Sequence, residues 1–201
     1  MSVDRAAVER ALLRVSQGLR QAAAELNALD AVVGDGDLGT TLGRCASALD
    51  GAPLADGTVA DLLQEAGARC AAASGSSFAT LLGAALRAAA RACRQAAMPH
   101  TLGDGDIAQL LGHAAAAVAR LGEAQEGDKT LLDALLAVQR SRPLDGTPWT
   151  VLYAEQALQA ALQALHPQPG RIGRARLHAG RVAAYDDPGM VAVLRMVQSL
   201  L

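Results

Sequence analysis

Aromatic side chains are nearly missing from this chain: one Trp, two Tyr and one Phe, 2% of 201 residues. A core with so few rings must be assembled from Ala, Leu and Val, and with 51% apolar residues that is the composition of a helix former. Excess positive charge is missing too. Eighteen Lys and Arg stand against 20 Asp and Glu, a net charge of −2, and no basic stripe gives an electrostatic basis for binding nucleic acid. Cysteine is limited to Cys45, Cys70 and Cys93. Their odd number and spacing exclude a disulfide scaffold or a thiolate metal site, and place the thiols in the core of a cytoplasmic protein. No apolar run reaches the length of a membrane span: residues 70–86 are uncharged but broken by Ser and Gly, and read as a buried helix. The opening Met-Ser-Val-Asp-Arg has none of the apolar region of a signal peptide. One domain, 1–201, is expected, large enough to bury a core.

What the chain does have is helical periodicity. Val8, Leu12, Val15, Leu19, Ala22 and Leu26 recur on one face and predict a helix over Val3–Leu29 with Asp4 as its cap. A second helix runs to about Asp50, and a third from the cap Thr58 to Ala72. A fourth covers Phe78 to about Ala97, and a fifth, capped by Asp104 or Asp106, carries Ile107 to Leu121. A sixth opens at Gly127-Asp128-Lys129-Thr130 with Asp128 as its cap, a seventh covers Trp149–Leu165, and an eighth follows Asp187-Pro188-Gly189 to Leu201. Eight helices with short links make an all-α fold.

Between the first and second helices lies Asp30-Ala-Val-Val-Gly34-Asp35-Gly36-Asp37-Leu38-Gly39-Thr40-Thr41, with three carboxylates inside eight residues. At about 100° per residue a continuous helix would separate Asp35 from Asp30 and Asp37, so Gly34 and Gly36 must bend the chain for the three to converge. Converging carboxylates repel by roughly 4 kcal/mol per pair at 4 Å and an effective dielectric near 20. A hard cation, Mg²⁺ or Ca²⁺, is the remedy. Gly39-Thr40-Thr41 then opens the next helix, offering amides and hydroxyls at its N-terminus to an anion. An anion site beside three aspartates points to a Mg²⁺-bound polyphosphate; an EF-hand is excluded, since no register places a Glu at the twelfth position of such a loop. Gly103-Asp104-Gly105-Asp106 repeats four letters of this loop without the preceding aspartate or the following Gly-Thr-Thr, and reads as a helix cap.

The pattern Asp30-x-x-x-x-Asp35-Gly-Asp37-x-Gly39-Thr40-Thr41 resembles the metal and nucleotide loop of the dihydroxyacetone kinase L subunit. Four further segments resemble the family in order: Ser74-Gly75, Gly127-Asp128-Lys129-Thr130, Gly173-Arg174-Ala175 and Asp187-Pro188-Gly189. The chain departs from the family at Ala71-Ala72, where a glycine pair is usual, and at Arg176–Ala179. The resemblance implies an eight-helix antiparallel barrel with a nucleotide and two Mg²⁺ at one end. It implies Asp30, Asp35 and Asp37 as metal ligands and Arg174 as the residue that stabilises the transferring phosphoryl group. Nucleotide contacts are implied for Leu38, Gly39, Thr40, Thr41, Ala73, Ser74, Gly122, Leu131, Arg174, Asp187, Pro188 and Gly189, with Gly122 and Leu131 against the base. It further implies ATP or ADP as cofactor and a separate K subunit that holds dihydroxyacetone. A phosphocarrier M subunit that recharges ADP and a homodimer are further partners compatible with the chain. The rival readings are a kinase half for another short ketose or a fatty acid, and a helical adaptor that keeps the loop as a metal clip.

Overall fold

Side-chain caps decide where the helices begin. Asp4 accepts the amide of Ala7 at 2.8 Å and starts α1, Arg5–Gln21. After α2 (Ala23–Val33) and α3 (Leu38–Asp50), Thr58 and Asp61 form a reciprocal capping box at the start of α4, Val59–Ala73. Ser76 caps α5, Ser77–Gln95. In α6, Asp104–Gly122, the carboxylate of Asp106 receives the amide of Gly103 at 2.9 Å, while that of Asp104 reaches away to the amide of Trp149 at 3.0 Å. Then follow α7 (Leu131–Arg140), α8 (Val151–Leu165) and α9, Pro188–Gln198, the last capped by Asp187. The computed structural model describes residues 3–50, 54, 56–98, 101–172 and 185–201. No helix among them is long and apolar enough to cross a membrane.

Two expectations are corrected. Val3–Asp4 is a short strand, β1, paired antiparallel with β2, Thr101–Leu102, so the first helix starts later, at Arg5; it is also broken at Ala22. The hydrogen-bond ladder nonetheless passes through the break, Ala22 to Gly18 at 3.0 Å and Leu26 to Ala22 at 2.9 Å, so α1 and α2 form one rod. The cap of α7 is Thr130 rather than Asp128. Lys129 has a left-handed φ of +64°, which a right-handed helix cannot include. The carboxylate of Asp128 turns back to the amide of Gln125 at 2.8 Å.

Among the described residues, counting α1 and α2 as one rod, eight rods close into a ring. Each touches the next in sequence, and α9 returns to both α1 and α2. Neighbours run antiparallel, as the ties between them show: Arg20 to Asp50, Asp61 to Arg94, Gln139 to the Ala108 carbonyl, Glu155 to Gln198 and Glu25 to Arg195. Leu19, Leu26, Leu42, Leu158 and Met190 are fully buried at the ring's centre, each stabilising the fold by about 1.5–3 kcal/mol through burial. Small residues replace the missing rings. A Cβ on Gly83 would lie 2.6 Å from the carbonyl oxygen of Gly67, so α4 and α5 meet backbone to backbone. Cys45, Cys70 and Cys93 are buried free thiols, as expected. Trp149 is buried between the start of α6 and the end of α7, its indole donating to Ser141 at 2.8 Å.

Alternation of direction has a geometric consequence. The C-terminal ends of α2, α4, α6 and α8 and the N-terminal ends of α3, α5, α7 and α9 gather at one end of the ring. Positive and negative helix ends alternate around that rim, so the field favours an anion only locally, at a mouth such as that of α3.

Candidate metal and anion centre

Asp30 lies in the last turn of α2, and its Oδ2 accepts the amides of Asp37 at 2.9 Å and Leu38 at 3.2 Å. One carboxylate thus closes the loop and caps α3. The bend needs both glycines. A Cβ on Gly34 would fall 2.4 Å from Asp30 Oδ1, and Gly36 has φ +78°, a conformation costly for any other residue. Asp30, Asp35 and Asp37 each present an oxygen, and these lie within 4.8 Å of one another. Asp30 is half-buried and the other two are exposed, so the cluster opens to solvent. Among the described residues it is the one such group of His, Cys, Asp or Glu side chains. Three convergent carboxylates with a solvent-facing side suit Mg²⁺, which keeps part of its water shell.

The mouth of α3 is held from α2. Asn27, three residues before Asp30 and hence on the same helix face, accepts the Thr40 amide at 3.0 Å and donates to the Thr40 hydroxyl at 3.1 Å. The Thr41 amide goes to the Asp37 carbonyl at 2.9 Å. The amides of Leu38, Thr40 and Thr41 are thus committed within the protein. Leu38, Gly39 and Thr41 are buried. Gly39 is also a packing requirement, because a Cβ there would lie 1.9 Å from the Ala23 carbonyl oxygen. Thr41 Oγ1 comes within 3.5 Å of Ser74 Oγ, joining the α3 mouth to the turn that follows Ala73.

The remaining expected positions sit on the same rim. Gly122 ends α6 against Leu81, Leu131 opens α7 as a buried residue, and Gly189 packs so tightly on Phe78 that a Cβ would lie 2.8 Å from its ring. Asp187 accepts the Met190 amide at 2.8 Å, and burial pushes its carboxyl up to about 7 despite the attraction of Lys129. Lys129, to which sequence reasoning gave no role of its own, is 3% exposed. Its Nζ donates to the carbonyls of His166 at 2.9 Å and Gln168 at 3.0 Å, fastening the loop before α7 to the turn after α8. Burial lowers its pKa while Asp186 and Asp187 pull it back. The pairing of His166 Nδ1 with Asp186 at 2.8 Å ties the end of α8 to the segment that leads into α9. Arg174 lies outside the described residues.

The ring of antiparallel helices, with its acidic loop beside the α3 N-terminus, is an all-α domain of the kind found in dihydroxyacetone kinases. Crystal structures of the dihydroxyacetone kinase of C. freundii superpose with a TM-score of 0.77 in the native form and 0.76 in complex with AMP-PNP and Mg²⁺. They are 27% and 28% identical, and the match covers 97% and 100% of this chain but 34% of each of those chains. Residues 32–201 match the DAK2 domain model. The chain belongs to the DAK2 domain family. It is 33% identical to the D-erythrulose kinase of Mycolicibacterium smegmatis over 92% of its own length, and 30% identical to human triokinase/FMN cyclase over 94%. It spans about a third of those two relatives, 33% and 34%. Against the ADP-binding subunit DhaL of the PEP-dependent dihydroxyacetone kinase of Escherichia coli it is 28% identical, covering 100% of this chain and 97% of that one.

Proposed function

We propose that this chain is the nucleotide-binding, phosphoryl-transferring subunit of a dihydroxyacetone kinase, working with dihydroxyacetone held on a separate K subunit. The observation that carries the reading is the convergence of Asp30, Asp35 and Asp37 within 4.8 Å at the mouth of α3. The ADP-binding name of the E. coli relative and the AMP-PNP and Mg²⁺ of the C. freundii structure support it. Asp30, Asp35 and Asp37 would hold two Mg²⁺, and bound metal would supply the positive charge that lets a polyphosphate approach an acidic loop. The chain's own residues do the positioning. Thr40 and Thr41 offer hydroxyls at a helix N-terminus, with Thr40 oriented by Asn27. Leu38, Gly39, Ala73 and Ser74 wall the phosphate side, and Gly122 and Leu131 take the base. Asp187, Pro188 and Gly189 close the rim, and Arg174 stabilises the group in transfer. Such a division fits phosphoryl transfer, in which placement and electrostatics carry most of the rate.

The acceptor is a short ketose: dihydroxyacetone in the first reading, and erythrulose in a second that the name of the mycobacterial relative favours. Recharging of bound ADP by a phosphocarrier M subunit is part of the proposal, supported by the PEP-dependent name of the E. coli relative. A cytoplasmic location fits three buried free thiols. Isothermal titration of the full chain with ADP and ATP, with and without Mg²⁺, tests the core of the reading. Saturable binding that requires Mg²⁺ is expected; no binding of either nucleotide under any condition would overturn it. Assays with a K-type subunit and each ketose in turn then select the acceptor.

A further inference from the structure

Residues of α4, α5 and α6, none of them from the acidic loop, line a groove of about 370 Å³. Three guanidinium groups line it: Arg87 and Arg91, one turn apart on α5, and Arg120 across from them on α6. Six other arginines, Arg5, Arg20, Arg69, Arg94, Arg140 and Arg195, are paired with carboxylates. The three in the groove have no acidic partner among the described residues. Like charges four residues apart on a helix repel, and a third facing them adds to the strain. Arg10, Arg14, Arg44, Arg142 and Arg171 likewise make no ion pair among the described residues, but Arg87, Arg91 and Arg120 are three that line one cavity.

The groove also has a fixed floor. Gly67 and Gly83 bring α4 and α5 together beneath it, and Arg87 lies over that notch, its Nε donating to the Gly83 carbonyl at 3.3 Å. This uses one nitrogen of a half-buried side chain and leaves its two terminal nitrogens for a ligand. Ala84, Ala117 and the exposed Leu121 supply a small apolar wall, and Gln64 a neutral polar group. Guanidinium groups bind phosphate and carboxylate oxygens bidentately, and a cleft of this volume takes a small metabolite rather than a protein segment.

We infer that this groove is a second, independent binding site for a small polyanion, a phosphate ester or pyrophosphate-like group, recognised by Arg87, Arg91 and Arg120. Its occupant would abut the last turn of α6, which ends in Gly122 on the nucleotide rim. The inference does not depend on the kinase reading. Pyrophosphate is the probe, titrated calorimetrically into the full chain in EDTA so that no divalent cation bridges it to the acidic loop. Saturable one-to-one binding is expected. The double variant Arg91→Gln, Arg120→Gln, both exposed positions, should weaken it at least tenfold with the far-ultraviolet dichroism unchanged. Binding that survives in the double variant would belong to the helix mouths and overturn the assignment, as would no saturable binding. Tighter binding of an oligoglutamate peptide than of pyrophosphate would also overturn it, in favour of a protein partner.

Discussion

Gly34-Asp35-Gly36-Asp37 and Gly103-Asp104-Gly105-Asp106 have the same side chains in the same order, at opposite ends of the ring. The first arrives from a helix that has already placed Asp30, and Gly36 at φ +78° reverses the chain so that three carboxylates meet. The second follows a strand, enters α6 directly and spends its acids on the amides of Gly103 and Trp149. Backbone context, set by what precedes the tetrapeptide, decides whether aspartates crowd one another or serve a helix start. A four-letter match therefore carries little, and the residue four positions upstream carries much.

Exchanging corresponding positions tests that contrast. Asp35→Ala should weaken Mg²⁺-dependent ADP binding about 100-fold, by analogy with the losses seen when groups at a metal site are removed, while Asp104→Ala leaves it unchanged; calorimetry decides. Gly34→Ala drives a Cβ to 2.4 Å from Asp30 Oδ1 and should cost about 1–3 kcal/mol, a fall of about 2–4 °C in Tm for each kcal/mol in a domain this size. At Gly103 the nearest atom to a Cβ is 3.6 Å away, so Gly103→Ala should cost under about 1 kcal/mol. Gly36→Ala and Gly105→Ala should have opposite signs in thermal melts. The first forces alanine to φ +78° at about 1–2 kcal/mol. The second, with nothing within 4 Å, gains about 0.5–1 kcal/mol of helix propensity. Asp106→Ala should lose about 1 kcal/mol of capping. Asp37→Asn in EDTA should raise Tm slightly by relieving repulsion, a gain that Mg²⁺ abolishes.

Much of this architecture is legible from local signals. Asp4, Thr58 and Asp187 cap helices where the periodicity begins, and short links imply antiparallel neighbours. From alternation alone Asp30, Thr41, Ser74, Gly122, Leu131 and Asp187 fall on one rim. What escaped depends on contacts between distant segments. The closure of α9 onto α1 and α2, the β1–β2 pair and the notch at Gly67 and Gly83 have no local signature. Asn27 stood in plain view, on the Asp30 face of α2, but its partner Thr40 is reached only after the bend. Asp128 satisfied the rule for a helix cap and lost the position to Thr130, because the left-handed Lys129 between them is fixed by carbonyls from residues 166 and 168.

Trp149, the sole indole of the chain, is walled in beside Asp104 and Ser141, where α6 begins. The acidic loop lies at the other end of the ring, and α6 alone, with 19 residues, spans roughly 28 Å. Intrinsic fluorescence is therefore a spectator of the distal floor, reporting collapse of the whole ring but blind to events confined to the opposite rim. Any change in its emission on adding nucleotide would mean that the rods shift against one another along their full length.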